Sequence, residues 1–109
     1  MAAVPESPPT RLEIRVVDDR MRVIGPLTVG TLRRPDRKTR RAFTQVRSVD
    51  LSEVPFMDSA GVAQLIEWKR LALKQGRSLE VRNLPDQARA IARLCQVEDF
   101  LLKDLPPLS

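Results

Sequence analysis

Between Ser48 and Gly76 the hydrophobic pattern changes period once, and that change fixes the centre of any fold open to this chain. Val49 and Leu51 alternate with polar neighbours, the spacing of a strand. From Ala60 to Gln75, Val62, Leu65, Ile66, Ala72 and Leu73 instead share one helical face. A loop containing Pro55 joins the two halves, and the helix opens on Asp58-Ser59-Ala60-Gly61. A short buried strand therefore feeds a long amphipathic helix whose first turn carries a hydroxyl. Gly76 stands where that helix needs a left-handed residue to stop.

The flanking sequence extends the pattern. Leu12, Ile14 and Val16 alternate with Glu13, Arg15 and Val17 as a half-buried strand, Asp18-Asp19 is a turn, and Met21 to Ile24 is a second strand paired with the first. Gly25-Pro26 ends it. Thr28 is placed to cap a helix starting near Val29, with a break at Pro35 and a continuation over 36–46 that turns Ala42, Phe43 and Val46 inward. Leu79 and Val81 supply a fourth strand. Asn83 to Asp86 opens another helix, with Ala88, Ile91, Ala92, Leu94 and Cys95 on its apolar side, and a short helix or turn follows over 97–102. The expected class is α/β: one domain over 11–102, a mixed four-stranded sheet with helices packed on one face, and a parallel crossover in its later half. Pro5, Pro8 and Pro9 mark 1–10 as a flexible leader, and Pro106-Pro107 mark 103–109 as a flexible tail. The first residues carry neither a basic nor an apolar segment of the secretory kind.

Composition removes several classes of chemistry. With no His and one Cys among 109 residues, the usual zinc ligand sets cannot be assembled, the commonest general base is missing, and no internal disulfide can form, which fits a reducing cytoplasm. Four glycines form no phosphate-binding fingerprint. The net charge of +5 is concentrated: Arg33, Arg34, Arg37, Lys38, Arg40, Arg41 and Arg47 face one acid, Asp36, leaving the rest of the chain slightly acidic. Such a patch suits an anionic surface or plain solvation. With no Tyr, three Phe and one Trp, it lacks the stacking residues of a nucleic-acid binder, so no nucleic-acid partner is expected.

Ser59 admits four readings. As a cap, it or Asp58 would accept hydrogen bonds from the orphan amides of the first turn. As a nucleophile it lacks a histidine, and Met57 stands where a nucleophile elbow places glycine. As a phosphoacceptor it would sit at the positive end of a helix dipole, beside the negative Asp58. As a docking surface, Ser59, Ala60 and Gly61 are small enough for close approach. Trp68 and Leu71 lie off the centre of the apolar face, either as interface anchors or packed at the edge of the core. Asp50, Glu53 and Asp58 read as loop solvation and capping in preference to a metal cluster. Cys95 reads as an inert buried thiol.

Val49-Asp50-Leu51-Ser52-Glu53-Val54, followed by Met57-Asp58-Ser59-Ala60-Gly61-Val62, resembles the central signature of STAS domains. Three features resemble the MlaB-like branch, the STAS subunits of Mla-type phospholipid transport systems. Ala60 stands where many anti-sigma factor antagonists carry a second Ser. Leu71-Ala72-Leu73-Lys74-Gln75-Gly76-Arg77 matches the end of the long helix, and the stretch from Ala92 to Leu101 matches the C-terminal segment. The resemblance implies a non-enzymatic protein without a cofactor. It would bind the ATPase subunit of an ABC transporter through Ser59 and its neighbours Asp58, Ala60 and Gly61, with Trp68 added to the partner-binding set as the candidate anchor, and would be cytoplasmic, reaching the inner face of the inner membrane through its partner complex. The alternative within the family is an anti-sigma factor antagonist whose Ser59 is phosphorylated by an anti-sigma factor kinase. Pro35 and the dense arginines depart from the family's usual first helix.

Overall fold

The computed structural model describes residues 11–103, so the expected leader at 1–10 and the tail beyond Lys103 lie outside the described residues. The elements are β1 (Glu13–Val17), β2 (Arg20–Ile24), α1 (Arg37–Phe43), β3 (Ser48–Glu53), α2 (Ser59–Lys74), β4 (Glu80–Arg82), α3 (Asp86–Leu94) and α4 (Glu98–Lys103). The strands form one sheet in the order β1-β2-β3-β4. β1 and β2 are an antiparallel hairpin, whereas β3 runs parallel to both β2 and β4, as the expected crossover requires.

The register separates two faces. Val16, Met21, Val49 and Val81 align across the four strands on the helix-covered side. One residue along, Arg15, Arg22, Asp50 and Arg82 align on the open side. The strand period of two puts every apolar residue of the first row inward and every charge of the second outward. Arg15 pairs with Glu13 at 2.9 Å, Arg22 with Glu53 at 2.5 Å and Arg82 with Glu80 at 3.2 Å, all exposed. Each such pair contributes only about 0–1 kcal/mol. The core carries the stability. Val23, Leu27, Val46, Val49, Met57, Leu65 and Leu101 are essentially inaccessible, and truncating a residue such as Leu65 to Ala would cost about 2–5 kcal/mol.

Three sequence expectations are corrected by the structure. No helix starts near Val29. Thr28 to Thr31 closes a turn instead, with the Leu32 amide donating to the Thr28 carbonyl and the Thr31 hydroxyl to the Pro26 carbonyl. Pro35 restricts Arg34 to extended backbone, and Asp36, directly after it, caps the shorter α1 by accepting from the Thr39 amide at 2.7 Å. Second, Leu73 is not on the buried stripe of α2 but 45% exposed. Third, Leu94 (85% exposed) and Cys95 (exposed) lie outside the core. α3 ends at Leu94 with Cys95 as its C-cap, and Gln96, at φ 61°, turns the chain back before the thiol is covered. The buried face of α3 is reduced to Ala88 and Ala92.

Both long helices close in the same way. The Arg77 amide returns to the Ala72 carbonyl at 2.8 Å and the Val97 amide to the Ala92 carbonyl at 2.8 Å, the paired bonds of a Schellman motif. Gly76 takes the left-handed position after α2, as expected, at φ 74°. After α3 the same position is held by Gln96.

Candidate functional site

The site grows from a close contact beneath the start of α2. Leu27 and Met57 form a parallel bridge that extends the β2–β3 pairing past the end of both strands. Gly61 lies directly above it, where a Cβ would land on the Leu27 carbonyl oxygen and on Met57 Cγ. Only glycine permits α2 to begin this close to the sheet. Asp58 is the N-cap: its Oδ1 accepts from the Gly61 amide at 3.0 Å, and its Oδ2 accepts from the Val29 amide at 3.1 Å. One carboxylate therefore starts the helix and holds the 28–31 turn against it. Burial alone would raise the Asp58 pKa, but the amides of Val29, Gly61 and Ala60 outweigh it and hold the group below its ordinary value.

Ser59 is the first residue of α2 and is exposed, while Ala60 is half-buried and Gly61 buried. The hydroxyl is thus presented outward, and the glycine acts from beneath by setting the height of the helix. Two exposed apolar residues flank the helix start, Val29 (74%) and Phe56 (47%). At 100° per residue, Ser59, Ile66 and Leu73 fall within about 40° of one line along α2. The exposed Leu73 therefore continues the surface that Ser59 begins.

Trp68 is not part of that surface. It lies nine residues after Ser59, about 180° around the helix, half-buried and packed against the core. There it lines a groove of about 220 Å³ between α2 and the chain from Leu32 to Phe43. The structure brings Asp58, Ser59, Ala60 and Gly61 together and leaves Trp68 on the other side of the helix.

Sequence reasoning missed Lys69. It is 1% exposed, and its Nζ donates to the Leu79 carbonyl at 2.7 Å and to the Leu101 carbonyl at 3.0 Å, with the Phe100 ring centre 6.0 Å away. The signal was present, since Lys69 falls on the stripe of Val62, Leu65 and Ala72. Val29 and Phe56 gave no such signal, because nothing in a loop's local pattern indicates its exposure.

The carboxylates once grouped by sequence are engaged separately. Asp50 accepts from Asn83 Nδ2 at 2.9 Å and from the Ser52 amide at 2.9 Å, bonds that lower its pKa, the Asn83 contact most. Glu53 pairs with Arg22, and Asp58 caps α2. Among the described residues no group of three or more His, Cys, Asp or Glu is arranged to hold a metal ion, and no helix is long and apolar enough to cross a membrane.

A four-stranded mixed sheet, helices on one face, and an exposed serine opening the helix after the central strand together define a domain of the STAS type. A family model described as "Mlab, STAS domain" matches residues 11–103, and the chain belongs to that family. The family is generally non-catalytic. No curated protein matches the chain closely enough to be named as a relative.

Proposed function

We propose that this protein is the STAS subunit of an Mla-type phospholipid transporter, binding the transporter's ABC ATPase through the exposed start of α2. The observation that carries this reading is the surface around Ser59. A small hydroxyl residue, flanked by exposed Val29 and Phe56 and continued along α2 by Ile66 and Leu73, forms an apolar strip with a polar head. Exposed apolar residues clustered about a rigid helix start suit a protein partner better than a small molecule. The carboxylate of Asp58 fixes that start in place before any partner arrives, which reduces the ordering cost of association. The family match, by its description, favours the same branch. Location at the inner face of the inner membrane then follows from the partner.

The exposure of Ser59 at the first helical position also supports a second reading, an anti-sigma factor antagonist switched by phosphorylation there. The helix dipole favours a phosphate at that position even though Asp58 already holds the Gly61 amide, and its charge would alter a docking face. Copurification with the tagged chain from native cells separates the two. Recovery of an ABC ATPase supports the first, while recovery of a sigma-regulating kinase without an ATPase overturns it.

A further inference from the structure

The groove on the Trp68 side of α2 is a separate feature with its own chemistry. It runs along α2 from Gln64 to Gln75, a distance of about 16 Å at 1.5 Å per residue. Ile14, Phe43, Trp68 and Leu71 give it apolar walls, and among the described residues no acidic one lines it. Arg33 and Arg40 stand at its edge, both exposed. Arg33 Nη1 donates to the Leu32 carbonyl at 3.1 Å, which steadies its guanidinium beside the opening.

We propose that this groove binds a single-chain anionic amphiphile, the acyl chain lying along α2 and the carboxylate or phosphate head held by Arg33 and Arg40. An apolar slot beside concentrated positive charge complements a molecule with one apolar tail and one negative end. The slot disfavours a peptide. A helix, about 10 Å across, exceeds a space of about 220 Å³. An extended strand would set an amide and a carbonyl per residue against apolar walls, with few partners to satisfy them. An acyl chain carries no such groups. The arginines bring paired donors suited to a carboxylate or a phosphate alike. The inference does not depend on the partner assigned to the Ser59 surface, which is on the opposite side of the helix.

Trp68 is the only tryptophan in the chain, so its fluorescence reads this groove alone. A vicinal dibromide of dodecanoic acid, short enough to lie within the groove, should quench Trp68 saturably when added to the full chain below the concentration at which it aggregates. A lysophosphatidic acid with an acyl chain of the same length should compete with it, which shows that carboxylate and phosphate heads share the site. The charge-reversed variant Arg33→Glu/Arg40→Glu should bind at least about tenfold more weakly, as should the brominated alcohol of the same chain. Leu71→Glu, at a position 44% exposed and so tolerant of the change, should abolish quenching while the melting temperature holds. The proposal is overturned by an absence of quenching in the wild-type chain, or by equal quenching with acid, alcohol and both variants. Quenching by brominated anionic vesicles but not by the monomeric acid would overturn it too, assigning the basic edge to a membrane surface.

Discussion

Asp58 Oδ2 accepts from the amide of Val29, 29 residues earlier in the chain, at 3.1 Å. The bond ties the loop after β2 to the helix after β3, so the surface around Ser59 is one rigid unit. Asp58→Ala removes both this bond and the cap on Gly61, and should destabilise the domain by about 1–2 kcal/mol in chemical denaturation. The folded carboxyl titrates below its unfolded value. Its contribution is therefore complete above the ordinary Asp pKa of about 3.9 and is lost as the pH falls through the folded pKa. The variant's stability should fall less steeply over that acid window than the wild type's.

Ser59→Glu separates capping from docking. A negative charge at the first helical position is favourable to the isolated helix, so the melting temperature should hold or rise slightly. Affinity for the proposed ATPase partner should drop at least about tenfold, because the new charge would be desolvated at the apolar interface proposed there. Phe56→Asp and Leu73→Asp, both at exposed positions, should weaken binding similarly without unfolding the domain. Unchanged affinity in all three variants would place the partner elsewhere.

Lys69→Met keeps the aliphatic length of the side chain and removes its donors. The carbonyls of Leu79 and Leu101 then lose the partner that satisfies them. A loss of about 1–3 kcal/mol is expected in denaturant titration. Faster amide exchange should be confined to the start of β4 and to α4, the segments that Lys69 bridges.

Gln96→Gly should stabilise the fold. Gln96 holds φ 61° at the Schellman position after α3, where a Cβ is strained, and its counterpart after α2 is Gly76. A gain of about 0.5–1 kcal/mol is expected from removing that strain, with the larger flexibility of glycine in the unfolded chain setting the upper limit. Thermal melting of the two chains measures it.

Much of the fold was legible because its signals are local. The alternation around Val49 and Leu51, the helical period from Val62 to Ala72 and the stop at Gly76 required no knowledge of the rest of the chain. The α1 region was read too early, because a cap at Thr28 and a cap at Asp36 look alike in sequence. Pro35 decides between them by keeping Arg34 extended, which makes Asp36 the start. Of the candidate site, the cluster at Asp58, Ser59, Ala60 and Gly61 was legible as a strand-to-helix turn. Its division of labour was not. The glycine faces Leu27 and Met57, the aspartate reaches Val29, and the serine alone faces outward, and each of those directions depends on a segment distant in sequence.

By itself the sequence determined the four strands, the later helices and where the long helix begins and ends, but not the extent of α1. Hydrophobic period and turn chemistry act within a few residues of one another. Only the tertiary structure decided what covers each face. It buried Lys69 on two carbonyls, exposed Leu73, Leu94 and Cys95, and put Trp68 in a basic-edged groove on the far side of α2 from Ser59. Burial is set by which elements meet across the sheet, and a helix's own pattern specifies its apolar face but not how far its neighbours extend over it.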